Sequence, residues 1–285
     1  MIAETTAPDI DHLRSWIGRE DVAVDHVAED LARKYHATLD FPGEPPRQGE
    51  ILPQLIHFCL AQPAVPTARL GADGHPGRGG FLPPVPLPRR MWAGGEVTFH
   101  DELRVGDLAR RTSRIADVVL KQGRSGALCF VTVEHRLEAN GSLVLEERQE
   151  IVYREAAVPG TEAAPPPPRE PGRHRRAQQA SPALLFRYSA LTFNAHRIHY
   201  DRRYAQEIEA YPGLVVHGPL QAAWLCNYAA ELLGAAPKRF SFRGLSPLFE
   251  HDAFALHARE VDNGLELWTA REDGTACMSA KAYRT

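Results

Sequence analysis

"GPLQAAWLCNYAAELL" (Gly218–Leu233) carries a single formal charge, Glu231, near its far end. Leu220, Trp224, Tyr228 and Leu232 recur every four residues along it, the spacing of one helical face. Ala, Leu and Cys fill most of the other faces, so the predicted helix is apolar on nearly every side. Such a helix must be surrounded, and a curved antiparallel sheet can wrap it. The sequence after it supplies the strands: "RFSFRGL", "DAFALHAREVD", "LELWTARED" and "CMSAKAYR", with "DNG" and "EDGT" as hairpin turns.

The first half of the chain runs in the same order. "DHVAEDLARKYHATLD" sets Val27, Leu31, Tyr35 and Leu39 four apart, a helical face with Asp25 as its expected N-cap. "LPQLIHFCLAQ" (Leu52–Gln62) reads as a more buried helix, and "GADGHPGRGGFLPPVPLPRRMWAGG" as a long loop. "GEVTFH", "LARRTSRIADVVLKQ", "ALCFVTVEHRLEA" and "SLVLEERQEIVYRE" then read as strands, separated by the turn signals "QGRSG" and "ANGS". "LRVGD" (Leu103–Asp107) and "LFEHD" (Leu248–Asp252) hold like places in the two halves. The expected fold is therefore α+β, with two helix-plus-antiparallel-sheet halves in one chain, a double hotdog. Between them, Ala156–Ser181 carries a four-proline run without apolar periodicity and reads as an extended linker. Its basic cluster Arg173, His174, Arg175 and Arg176 reads as solvated. The expected division is a first half at 1–157, a linker at 158–181 and a catalytic half at 182–285.

Bulk properties exclude several classes. The 285 residues have a formal net charge of −3, so no overall basic field invites nucleic acid or an anionic membrane. No stretch reaches the roughly 18–20 apolar residues of a membrane span. The start, "MIAETTAPDIDHL", lacks the apolar run of a secretory signal. Cys59, Cys129, Cys226 and Cys277 are far apart and read as core thiols in a reducing compartment. A cytoplasmic protein is expected.

The chemistry gathers in "FNAHRIHYD" (Phe193–Asp201), followed by "YPGLVVHGPL", which adds His217. Read alone, these are polar residues opening a helix with Asn194 as its cap, or a functional cluster in a concave site. His196 and His199 at i, i+3 with Asp201 nearby lack the i, i+4 spacing and Glu of a zinc-protease helix, so no metal is expected. Ser189 has no "GxSxG" context and no evident base. "GADGHPGRGG" neither follows a strand nor opens a helix, so it is not a phosphate loop, and no cofactor is expected.

"FRYSALTFNAHRIHYDRRYA" followed by "GLVVHGPL" resembles the signature of the MaoC-like, (R)-specific enoyl-CoA hydratases. That signature joins Gly-Asp, any residue, Asn-Pro, an aliphatic residue and a catalytic His, with a later His-Gly opening the central helix. Anchored on "IHYD", the resemblance places the catalytic histidine on His199 and the His-Gly on His217 and Gly218. It places the family's aspartate on Asn194, preceded by Phe193 instead of Gly, and its Asn-Pro on His196 and Arg197. Within the family the chain is similar to a branch with a divergent first half, which "GADGHP" and "GGFLPPVPLPRRMWAGG" also fit. That branch holds mesaconyl-C4-CoA and itaconyl-CoA hydratases and the type 2 hydroxyacyl-thioester dehydratases.

The resemblance implies a hydro-lyase acting on a short branched dicarboxylyl-CoA. The alternatives are a 3-hydroxyacyl-thioester dehydratase of fatty-acid metabolism and a non-catalytic acyl-CoA-binding module. A thioesterase fits less well, because the predicted central helix offers only Glu231 as an acid. His199 is the expected base, and the N–H groups at Gly218 suit a developing oxyanion. Asn194 cannot exchange protons as a carboxylate does, so His196 is the expected assistant, ahead of Asp201. Arg197, Arg89, Arg90 and Arg243 are the candidates to hold a substrate carboxylate, with His217 also at the substrate. The partners expected are a CoA thioester and further copies of the same chain.

Overall fold

The computed structural model describes residues 8–123, 126–155 and 167–285. In the first half the strands are β1 (Glu20–His26), β2 (Arg89–Phe99), β3 (Leu108–Gly123), β4 (Gly126–Ala139) and β5 (Ser142–Arg154). The second half holds β6 (His174–Gln178), β7 (Arg239–Gly244), β8 (Phe254–Val261), β9 (Gly264–Arg271) and β10 (Ala276–Tyr283). All join one ten-stranded antiparallel sheet in the order β1-β3-β4-β5-β2-β7-β10-β9-β8-β6. Read from either edge, each half repeats one order, and the halves meet where β2 pairs with β7, Gly94 opposite Arg243. "LRVGD" leads into β3 and "LFEHD" into β8, the equivalent strands. The predicted repeat is real.

The central helix is as expected. Helix α5 (Gly218–Leu233) has Pro219 in its first turn and ends at Gly234, whose φ of +74° closes the C-terminus. It buries Leu220, Trp224, Leu225, Cys226 and Tyr228 against the sheet. Among the described residues the first half has no counterpart of this length. Helix α2 (Glu29–Thr38) and a single 3-10 turn, Ile56–Cys59, share one apolar core with α5. A short α1 (Ile10–Arg14) packs Leu13 into a second cluster with Ile115 and Val118 of β3.

Four expectations need correction. Asp25 lies in β1 and its carboxylate accepts from the Ala61 N–H; α2 begins at Glu29 after Ala28, with no side-chain cap. Leu52–Gln62 is largely buried but is not an α-helix. Leu55 and Ala61 take positive φ values, and His57 turns inward to the carboxylate of Glu147. A short apolar run signals burial without specifying helix or strand. Arg89–Gly95, expected in the loop, opens β2, where pairing with β5 outweighs the weak strand preference of its glycines. Finally, residues 174–178 of the expected linker form β6, an edge strand paired with β8. Charged side chains are what an edge strand tolerates, so composition hid it. Residues 156–166 of that linker lie outside the described residues.

The turn signals hold where they are described. In "ANGS" both Asn140 and Gly141 have positive φ, as a tight two-residue hairpin requires.

Candidate active site

The histidine segment is built from a succession of local caps. Helix α3 (Pro182–Leu191) starts at Ser181, whose hydroxyl accepts from the Leu184 N–H. It ends in a Schellman motif: Asn194 N–H donates to Ser189 O at 2.8 Å and Phe193 N–H to Ala190 O at 3.3 Å. Phe193 therefore carries the left-handed φ, +49°, usually given to glycine. Asn194 Oδ1 then accepts from the His196 N–H at 3.0 Å, so this side chain builds the turn and does not cap an α-helix. A 3-10 turn follows at Arg197–His199. Asp201 caps α4 (Arg202–Glu207) through the Tyr204 N–H and takes two bonds from Arg197, at 3.0 and 2.7 Å.

These turns bring three imidazoles together in and beside the start of α5. His199 is buried, and its Nδ1 lies 2.7 Å from the Val215 carbonyl. A carbonyl only accepts, so Nδ1 carries the proton and Nε2 keeps its lone pair. His217, the N-cap residue of α5, stacks on it with ring centres 3.6 Å apart. His217 Nε2 meets the Ser189 hydroxyl at 2.8 Å, and its Nδ1 is buried without a partner. Ser189 therefore does have a histidine beside it, contrary to the sequence reading. Both are buried, so the bond fixes the His217 ring. His196 stands edge-on to His199 at 5.4 Å. Burial, the dominant influence, lowers all three: His199 to about 4, His196 to about 2 and His217 well below its ordinary value. All three are neutral at pH 7.

Sequence reasoning missed two further residues. Asp73 and His75, from the long loop of the first half, dock against the histidine segment. Asp73 Oδ2 accepts from His75 Nδ1 at 2.8 Å, and the His75 ring lies 4.0 Å from that of His196. The loop is held by backbone: Arg197 N–H donates to Asp73 O at 2.9 Å, and Arg197 Nη1 to Ala72 O at 3.0 Å. Gly74, at φ +87°, passes so close that a Cβ would fall 1.8 Å from Ala195 O. The available signal was "GADGHP" itself, which reads only as fitting the family branch and as no phosphate loop, since it neither follows a strand nor opens a helix.

Asp73, His75 and His196 are the one trio of ligand-type side chains among the described residues with donor atoms within 4.8 Å of one another. Their arrangement is that of a hydrogen-bonded pair with a tilted ring beside it. The lone pair of an imidazole lies in the ring plane, and two rings tilted by only 36° at 4.0 Å turn faces to each other. Burial opposes ionisation of Asp73, but the hydrogen bond from His75 and its charge more than offset this. The carboxyl is held below its usual range.

The four arginine candidates separate. Arg89 is paired with Glu209 at 3.0 Å and Arg197 with Asp201 at 2.7 Å, so both are committed to carboxylates of the chain. Arg243 is exposed on β7 at the seam between the halves. Arg90 has no carboxylate partner among the described residues; it lies by the Tyr153 hydroxyl and within electrostatic reach of His75 and His196. Gly218 leaves no room for a side chain, but the group against it is the Trp92 ring, 2.8 Å from where a Cβ would sit. Two cavities, of 360 and 480 Å³, lie elsewhere, by Gln54 and Lys238 and by Glu96 and Arg148.

The family model for hydroxyacyl-thioester dehydratase type 2 matches residues 55–250. The chain belongs to this family. All the imidazoles above, Asp73, Arg90 and Gly218 fall inside the matched stretch. Among characterised relatives, the mesaconyl-C(4)-CoA hydratase of Chloroflexus aurantiacus is 45% identical over 269 residues, covering 93% of this chain and 95% of that protein. The crystal structure of HtdX from Mycobacterium tuberculosis superposes with a TM-score of 0.68 at 19% identity, over 92% of this chain and 100% of that one. A second M. tuberculosis protein, described as a double hotdog, matches with a TM-score of 0.55 at 14% identity, over 93% and 95% of the two chains. The expected double hotdog and the resemblance read from "FNAHRIHYD" are both borne out.

Proposed function

We propose that this member of the family is a hydro-lyase that adds water to a short branched dicarboxylyl-CoA, mesaconyl-C4-CoA or its isomer itaconyl-CoA, giving citramalyl-CoA. The observation that carries it is His199. Its Nδ1 is pinned by Val215, its Nε2 is left basic, and it lies against the N-cap of the central helix. The 45% identity to a hydratase named for mesaconyl-C(4)-CoA supports the substrate class.

In this reading His199 Nε2 takes a proton from water as its oxygen attacks the β carbon. The electron pair of the double bond moves through the α carbon to the thioester oxygen, and the enolate then takes a proton at the α carbon. The first-turn N–H of Gly218, at the positive end of α5, faces the developing oxyanion. His196 and Asn194 line the same segment, His196 assisting proton transfer and Asn194 holding the turn. Arg90 holds the free carboxylate, since Arg89 and Arg197 are already paired. His217 backs His199 from beneath. Water adds directly only to the conjugated mesaconyl isomer. Itaconyl-CoA requires a proton shift first, through the same enolate.

The division into a substrate-accommodating half at 1–157 and a catalytic half at 182–285 belongs to this reading, with Asp73 and His75 brought from the first half. Association of copies and a cytoplasmic location belong to it too. Among the described residues no helix is long and apolar enough to cross a membrane, and the four cysteines are buried and unpaired.

The family description favours one second reading, dehydration of 3-hydroxyacyl thioesters of longer chain. Incubation with mesaconyl-C4-CoA, itaconyl-CoA and crotonyl-CoA, followed by mass, separates them. Turnover of the first two with little on crotonyl-CoA supports the C5 reading. Preference for crotonyl or longer acyl groups supports the second.

A further inference from the structure

We propose that the Asp73–His75 pair, contributed by the first half of the chain, is the acid that delivers the proton to the α carbon, while His199 serves as the base. The assignment rests on the hydration reading above and divides its two proton transfers between the two halves.

Two imidazoles at this site have Nδ1 pinned and Nε2 left over. They differ in what pins them. His199 is held by a neutral carbonyl, Val215 O, and His75 by a carboxylate, Asp73 Oδ2. A carbonyl fixes the tautomer without favouring a positive ring, whereas a carboxylate also stabilises imidazolium. Adding water calls for one group of each kind, and environments that pull two titratable groups apart assign acid and base. His196 neighbours both, 4.0 Å from His75 and 5.4 Å from His199 by ring centres, so the two rings belong to one cluster. The loop is anchored to present His75: Ala72 O and Asp73 O both accept from Arg197, and Gly74 lies on Ala195. Asp73 and His75 keep 29% and 18% side-chain exposure, so the acid sits at the wetter end, where bulk water can recharge it.

The groups facing His75 are Asp73, Arg78, Arg90 and His196. Burial and the two arginines together outweigh Asp73, so without substrate the ring is held neutral. A substrate carboxylate on Arg90 cancels one of those positive charges and so arms the acid when a dicarboxylyl substrate binds. The protons balance with His75 entering as imidazolium, charged from solvent once the substrate carboxylate sits on Arg90: water yields one proton to His199 Nε2, His75 Nε2–H yields one to the α carbon, and exchange with solvent resets both rings.

The full-length protein with His75→Ala, His75→Gln, Asp73→Asn and His199→Ala, assayed on mesaconyl-C4-CoA across pH, tests this. His75→Ala is expected to lose about 10²–10⁴-fold in kcat with KM little changed. It should also lose the alkaline limb of the pH profile and be partly rescued by added imidazole, which His75→Gln is not. Asp73→Asn should lose less and move the alkaline limb to lower pH. Full kcat in His75→Ala beside an inactive His199→Ala overturns the acid and leaves the hydratase standing. A kcat loss with an unmoved pH profile and no rescue assigns a structural role to the loop and also overturns it. Stoichiometric metal in the wild type, absent from the Asp73 and His75 variants, would make His75 a ligand and overturn it too. A wild type that turns over no acyl-CoA overturns both readings.

Discussion

His199 donates from Nδ1 to the carbonyl oxygen of Val215 at 2.7 Å, and this bond decides which nitrogen does chemistry. Val215 itself is held by an isolated bridge to Phe249, so the acceptor is fixed by the fold and not by a side chain. The Nε2 lone pair is thereby presented at every pH above the ring's lowered value, about 4. His199→Ala should therefore reduce kcat by about 10²–10⁴-fold on any accepted thioester. Steady-state assay of the purified variant, with circular dichroism to confirm folding, checks it. Near-wild-type turnover would remove His199 from the mechanism.

The same burial makes stability depend on pH. Folded-state values for His75, His196, His199 and His217 are all depressed relative to about 6.5 in the unfolded chain. Below that value the unfolded state binds protons that the folded state does not, so stability falls as pH drops. For His199 alone the window runs from 6.5 down to about 4. A shift of that size is worth roughly 3 kcal/mol. Thermal melts between pH 7.5 and 4.5 should show a steadily falling Tm. A flat profile across that window would contradict the neutral burial of these rings.

Arg90 and Arg89 are neighbours with opposite expected phenotypes. Arg89 is paired with Glu209 and stands over the Tyr211 ring, so Arg89→Gln leaves a half-buried carboxylate unpaired and should lower Tm. Arg90 has no such partner among the described residues, so Arg90→Gln should spare stability. It should raise KM for mesaconyl-C4-CoA about 10–100-fold, the loss of a hydrogen bond to charge. Crotonyl-CoA, which has no free carboxylate, serves as the control. An equal effect on both substrates would move Arg90 to the CoA moiety.

Much of this was legible in the sequence, for identifiable reasons. The central helix announced itself because sixteen residues with one charge leave few other folds. The strands and "ANGS" followed from alternation and turn chemistry. His199 and His217 were named because they cluster locally in sequence and the resemblance carried by "FNAHRIHYD" and "HGPL" assigned their roles. Asp73 and His75 were not, because their meaning lies in a contact more than a hundred residues away, with the sole local hint a glycine that must fit under Ala195. Likewise the arginines could not be ranked before their carboxylates were seen. Glu209 and Asp201 decide what Arg89 and Arg197 do, and neither pairing leaves a mark on composition.

One departure from the family signature became interpretable only with the backbone in view. Phe193 stands where that signature has glycine, yet the Schellman end of α3 still demands a left-handed residue there, and Phe193 adopts φ +49°. The residue is 64% exposed, so little burial compensates for the strained backbone. A bulky residue in this region carries about 1–3 kcal/mol of strain, while glycine costs about 0.5–1 kcal/mol in chain entropy. Phe193→Gly should therefore stabilise the protein by up to about 2 kcal/mol, the surplus of the first over the second. Phe193→Ala keeps a Cβ in the same conformation and should gain little. Urea denaturation of the two variants side by side distinguishes backbone relief from loss of an exposed ring. Equal stabilisation by both would show that the ring, not the backbone, was the cost.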